Sequence, residues 1–119
     1  MTDLVVHIMG DVCVVRLGAH SLVEGIEIEN LGRKLYELVD AQAQRKLLLD
    51  FSAVKNISSS LLGVLVKLQK KSSAIKGQVV LVGMKSELRK IFAITKLDKL
   101  FAFGDSEEKG LDLLGLHAP

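Results

Sequence analysis

The stretch Leu47-Leu48-Leu49-Asp50-Phe51-Ser52-Ala53-Val54-Lys55-Asn56-Ile57-Ser58-Ser59-Ser60-Leu61-Leu62-Gly63-Val64-Leu65 decides the fold. Its first residues, Lys46 to Phe51, read as a short strand. Hydrophobicity there is continuous rather than alternating, which predicts a central strand covered on both faces. A polar loop, Ser52 to Ile57, follows. After the serines the pattern becomes helical, with Leu61, Leu62, Leu65 and Leu68 inward and Lys67, Gln69, Lys70 and Lys71 toward water. Ser58, Ser59 and Ser60 stand where that helix must begin, and a serine there accepts a hydrogen bond from a free first-turn N–H. One cap needs one hydroxyl, and here there are three.

Working outward, Leu4–Met9 and Val12–Leu17 are runs of β-formers joined by Gly10-Asp11, the signal of a two-residue hairpin. Ala19 to Gly25 has no clear period and reads as a loop. From about Glu27 a helix places Ile28, Leu31, Leu35, Leu38 and Val39 on one face, fading by Ala43 or Gln44. Gly32 inside it costs about 1 kcal/mol relative to Ala. Gln78–Val82 is the next strand, bounded by Gly77 and Gly83. A helix capped at Ser86 follows, with Leu88, Ile91, Phe92 and Ile94 or Thr95 inward. A last strand, Leu100 to Phe103, leads to a helix opened by Asp105-Ser-Glu-Glu108 and containing Leu111, Leu113 and Leu114. The order β-β-α-β-α-β-α-β-α predicts an α/β fold with a mixed, mostly parallel central sheet and about four helices. We expect one domain over residues 1–119, with 115–119 as a tail.

Composition agrees. Hydrophobic residues make up 49% and charged residues 25% of 119 residues, ordinary for a globular protein. Aromatics are 4% without Trp, so Leu, Val, Ile and Ala must build the core. A formal charge of +2 makes no claim for nucleic acid, and apart from Phe92 the basic stretch Lys67–Lys99 has no interleaved aromatics for stacking. That stretch is either a set of solvated helix faces or a patch for an acidic partner. The single Cys13 lies in an apolar run and reads as an inert core thiol, consistent with a reducing compartment. No signal peptide is visible, and no apolar run approaches the ~18 residues of a membrane span. The expected location is the cytoplasm, without direct membrane insertion.

Chemistry-bearing patterns are sparse. His7, His20 and His117 have no Cys or carboxylate at metal-ligand spacing, so no metal is expected. No phosphate-cradling glycine loop or nucleophile elbow is present, so no cofactor and no catalytic residue are assigned. Asp50 ends a strand, where α/β enzymes hold catalytic groups. Without a neighbouring acid or base, it reads instead as an acceptor for loop N–H groups.

Two segments carry a family resemblance. Leu48 to Leu65, with Ser58-Ser-Ser-Leu-Leu-Gly63, resembles the strand, loop and Asp-Ser-Ser/Thr-Gly-Leu-Gly helix start of STAS domains, the family of anti-sigma factor antagonists. Leu88 to Phe101 and Asp105 to Leu111 are similar to that family's third helix, last strand and final helix start. Ser58 stands in place of the family Asp, and Leu61 in place of the first Gly; Leu62 and Gly63 match. Ser59 falls on the serine that antagonists have phosphorylated, with Ser60 and Ser58 as alternates. The resemblance implies a non-enzymatic, phosphorylation-controlled regulator of transcription that binds an anti-sigma factor serine kinase to free a sigma factor. A phosphatase would be a further partner. The docking surface would comprise Ser52, Lys55, Asn56, Ser58, Ser59, Ser60 and Leu62. The alternative family role is a subunit bound to an ABC lipid-transporter ATPase or to a stressosome-like assembly, without phospho-switching, and the lost Asp and Gly favour it more than an intact motif would. From the residues alone, capping by the serines and phosphate acceptance both stay open.

Overall fold

A computed structural model describes residues 4–17 and 25–115. The elements are β1 (Leu4–Met9), β2 (Val12–Leu17), α1 (Gly25–Asp40), β3 (Lys46–Asp50), α2 (Ser59–Ala74), β4 (Gln78–Val82), α3 (Ser86–Ile94), β5 (Ala102–Gly104) and α4 (Glu107–Leu113). A 3-10 turn, Leu97–Lys99, lies between α3 and β5. The order expected from the sequence is the order observed. His20, His117 and most of the expected 19–25 loop lie outside the described residues.

The five strands form one sheet in sequence order, β1-β2-β3-β4-β5. β1 runs antiparallel to β2, and every other pair is parallel. Strands added always on the same side, each through the favoured right-handed crossover, place all their connecting helices on one face. Accordingly α1, α2 and α3 share one core with Cys13, Val15, Leu47, Leu49, Val79 and Leu81. Among the described residues, the opposite face is covered by the last helix. Leu111 and Leu114, at the end of α4, cover Val12, Val14, Leu48, Val80 and Val82 there.

β3 lies at the centre with Leu47, Leu48 and Leu49 fully buried, Leu48 in one core and its neighbours in the other. That is the cause of its continuous hydrophobicity. In α1, Ile28, Leu31, Leu35, Leu38 and Val39 are all buried as expected. Gly32 gains a reason there: a Cβ would sit 3.2 Å from a methyl of Val64, so its absence lets α1 and α2 approach closely. Cys13 is fully buried, and burial pushes its thiol pKa up.

Several boundaries differ from expectation. α1 begins at Gly25 and ends at Asp40, and β3 ends one residue before Phe51. Ser86 is the first residue of α3 rather than its cap; Lys85 takes the cap position and makes no side-chain bond there. Ile94 is 81% exposed, since it lies about 200° round α3 from the buried Phe92, and Thr95, the residue that ends the helix, is exposed as well with its hydroxyl donating to the Ile91 carbonyl at 2.7 Å. The last strand is Ala102–Gly104, since Leu97–Leu100 is spent on the 3-10 turn. Leu62 is part-buried rather than core. Leu113 is half-exposed on α4, and Leu114 is the residue that caps the helix and enters the second core.

α4 packs so closely that Gly110 has no room for a side chain. A Cβ there would overlap a methyl of Val82 and lie 2.7 Å from one of Leu48. Gly110→Ala is therefore expected to lower the unfolding free energy by about 1–3 kcal/mol, although Ala favours helices. Urea denaturation of the two proteins measures this; an increase in stability would contradict the close packing.

Candidate functional site

The chain leaves β3 through a turn anchored in the core. Phe51 and Val54 are fully buried, and the Val54 N–H donates to the Phe51 carbonyl at 2.9 Å. Phe51 itself continues the sheet by donating to the Val82 carbonyl, also at 2.9 Å. Ser52, between the two anchors, is pushed to the surface. Its backbone N–H donates to Asp50 Oδ1 at 2.9 Å, and its carbonyl accepts from Lys85 Nζ at 3.0 Å. Asp50 thus plays the part expected of it, bonding a loop N–H. Its other oxygen lies 3.9 Å from Arg16 Nε, while Arg16 Nη2 donates to Glu107 Oε1 at 2.6 Å. β2, β3 and α4 are tied together at the strand ends on which the loop is built.

Lys55 and Asn56 are exposed, and Ile57 turns back to pack on the core edge. Ser58 then takes the cap position in extended backbone, and its Oγ accepts from the Leu61 N–H at 3.3 Å. Its carbonyl accepts from the Leu62 N–H at 3.2 Å. Ser59 and Ser60 are the first two residues of α2, both exposed. Among the described residues neither hydroxyl has a hydrogen-bond partner, so the capping work falls to Ser58 alone. The first turn of α2 carries no acidic side chain. Its free N–H groups and the helix dipole favour negative charge at this point.

The exposed side of α2 continues from Ser59 through Gly63 one turn later. A Cβ on Gly63 would meet nothing within 4 Å. The glycine is not needed for packing, and it leaves that side of the helix low. Beside it Leu62 and Val66 are part-buried. From Ser60 the next turn reaches Val64, which lines a shallow groove of about 300 Å³ with Glu29, Gly32, Arg33 and Tyr36. Lys67 and Lys71 lie over the Tyr36 ring, at 5.0 and 5.5 Å from its centre, and Lys71 also pairs with Asp40 at 2.8 Å. Burial pushes the Tyr36 phenol pKa up, against the opposing charge of Lys71.

Ser52, Lys55, Asn56, Ser58, Ser59, Ser60 and Leu62 thus lie along one continuous loop and helix start. Two contributors lay beyond sequence reasoning. Lys85 reaches Ser52 from 33 residues away, and Arg16 and Glu107 meet across 91. Neither pairing has a local signal. Among the described residues, no group of three His, Cys, Asp or Glu side chains is placed to hold a metal ion. No helix there is long and apolar enough to cross a membrane.

The STAS domain family profile matches residues 3–110. The chain belongs to the STAS family. Solved structures of the same fold include an anti-sigma factor antagonist from Mycobacterium paratuberculosis, 22% identical over 97% of this chain and 95% of that one, with a TM-score of 0.84. The Bacillus cell fate determinant SpoIIAA in its phosphorylated form is 19% identical over 96% and 99%, at 0.73. A chain of the stressosome, a signal integration and transduction hub, is 20% identical over 92% and 95%, at 0.69.

The geometry separates the serines by thermodynamic role. Ser58→Ala is expected to cost about 1 kcal/mol of stability, whereas Ser59→Ala and Ser60→Ala stay within about 0.5 kcal/mol. Gly63→Ala should stabilise the fold by about 0.5–1 kcal/mol, since nothing opposes the methyl. Chemical denaturation of the four variants checks the set; equal losses at all three serines would contradict the division.

Proposed function

We propose that this STAS domain is an anti-sigma factor antagonist, a protein-binding module that docks on an anti-sigma factor serine kinase and frees a sigma factor. The docking surface runs from Ser52 through Lys55 and Asn56 to Ser58, Ser59, Ser60 and Leu62. Phosphorylation of Ser59 switches binding off, and a phosphatase restores it. The observation that carries this reading is that Ser58 alone caps α2, leaving the Ser59 hydroxyl exposed and unbonded at the first helical position. A hydroxyl engaged in capping would have to break that bond to reach a kinase, and Ser59 has none to break.

The physical chemistry of such a switch is local. A phosphoserine adds about −1.5 to −2 charges near neutral pH. At the first position of α2 that charge meets the positive end of the helix dipole and no acidic neighbour, so the helix tolerates it. What changes is the surface: a flat, uncharged step formed by Ser59 and Gly63 becomes a bulky anion. A partner packed on that step is excluded by volume and by desolvation of the phosphate. No catalysis by this chain enters the scheme.

A second reading is a constitutive subunit on an ABC lipid-transporter ATPase or in a stressosome-like assembly. Ser58 and Leu61 in place of the family Asp and Gly favour it, as does the likeness in fold to a stressosome chain. Affinity capture from the native cell distinguishes the two. The first predicts recovery of a serine kinase without its sigma factor, and a transporter ATPase in its place would overturn it. With the captured kinase and ATP, mass spectrometry should place one phosphate on Ser59, lost in Ser59→Ala. Ser59→Asp should weaken kinase binding at least about tenfold, or about 1.4 kcal/mol. Phosphate on none of the three serines would remove the switch and leave the docking role standing.

A further inference from the structure

The two edges of the sheet are finished differently. β5 is three residues long and part-buried, and α4 packs against it. β1 is six residues long, and Val5, Val6 and Ile8 are 55%, 43% and 57% exposed. Half of the six large exposed hydrophobics among the described residues therefore sit on this one strand. Leu4–Met9 contains no Lys, Arg, Asp, Glu or Pro. Those are the residues that ordinarily keep a free edge from pairing, and an uncharged apolar edge lacks that protection.

The hairpin fixes which backbone groups are free. Met9 pairs with Val12 around the two-residue turn Gly10-Asp11, and Gly10 has φ 60°, the conformation that a tight hairpin turn needs at its first central residue. The residues closing such a turn exchange both hydrogen bonds, and bonded and non-bonded pairs then alternate. Met9, His7 and Val5 therefore face β2, while the N–H and C=O groups of Val6 and Ile8 point away from the sheet.

We propose that a second copy of this chain occupies this edge: β1 pairs antiparallel with β1 of a two-fold related copy, Val6 opposite Val6, joining two five-stranded sheets into one. The axis follows from the free groups. A two-fold at Val6 makes Val6 a bonded pair with itself, sets Ile8 opposite Leu4, and sets Val5 opposite His7. Under two-fold symmetry the side chain on the axis meets its own copy and its neighbours lie close to theirs, so a fixed charge at the axis would face a like charge. β1 carries no Lys, Arg, Asp or Glu, and the adjoining charges are satisfied at home, Asp11 by Lys46 at 2.8 Å and Arg16 by Glu107 at 2.6 Å. A strand from an unrelated protein would need no such self-compatibility. With one strand from each copy, the interface falls at or below the small end of specific interfaces, under about 1,200 Å². Association is therefore reversible and concentration-dependent.

Sedimentation analysis of the intact chain over on the order of 10 to 500 µM tests the proposal, with a monomer–dimer equilibrium expected inside that range. Val6→Pro removes the central outward N–H and leaves the β1–β2 bonds in place, so it should weaken dimerisation at least about tenfold. Val6→Cys reads the register. Facing Cα atoms in a bonded antiparallel pair are about 5.5 Å apart, within disulfide reach, so mild oxidation should give a covalent dimer. Ile8→Cys should not cross-link, because its copy lies about 13 Å away along the strand. The buried Cys13 does not compete. Circular dichroism confirms folding of each variant, and the unaltered chain decides independently of them. A monomer throughout the range overturns the proposal. So does a dimer that Val6→Cys fails to trap, or one that Ile8→Cys traps equally.

Discussion

Everything in this domain hangs on a strand that must be dry on both sides. Leu47 and Leu49 enter the core beneath α1, α2 and α3, while Leu48 enters the core beneath α4. Burying three consecutive leucines contributes on the order of 5–9 kcal/mol of transfer free energy, an upper bound that holds only while both faces stay covered. The sequential strand order makes this demanding. Three right-handed crossovers cover one face automatically and, among the described residues, leave the other to α4. Gly110 at the point of contact, and the Arg16–Glu107 bond at the start of that helix, hold the cover in place.

The same strand aims the candidate site. The chain leaves the centre of the sheet at Asp50 and must reach the start of α2 in a few residues without leaving buried polar groups unpaired. Phe51 and Val54 plug into the core, Asp50 takes the Ser52 N–H, and Lys85 takes its carbonyl. With the loop pinned at these points, Ser58 arrives in the extended conformation that capping needs. The exposed surface at this helix start is thus a by-product of core burial. Its exposed groups, Ser59, Ser60 and Gly63, are small and contribute little to the fold. Residues free of structural duty can serve recognition without a stability penalty, and this is the physical content of the separation among the three serines.

Much of this was legible in the sequence because it depends on short-range patterns. The apolar period of α1 named the five buried apolar side chains among its described residues correctly, and the unbroken run of β3 announced a central strand. The helix start at the serines followed from capping chemistry, which left open which of the three hydroxyls serves as the cap. Errors gathered where local pattern and tertiary packing part. Ser86 has the side chain of a cap, yet the turn after Gly83 delivers Lys85 to that position. Ile94 is apolar, but it lies about 200° round α3 from the buried Phe92 and stays in water. Gly32 read as a cost until Val64 came to lie against it.

The sequence by itself determined the order of elements, the two-sided burial of β3, the beginning of α2 and the family to which the chain belongs, because periodicity, turn chemistry and a contiguous motif are properties of neighbours along the chain. Only the tertiary structure decided which serine hydroxyl is spent and which is free, which charges meet across 33 or 91 residues, and which edge of the sheet is left open. Those outcomes depend on how elements far apart in the chain pack against one another, and no residue spacing records that.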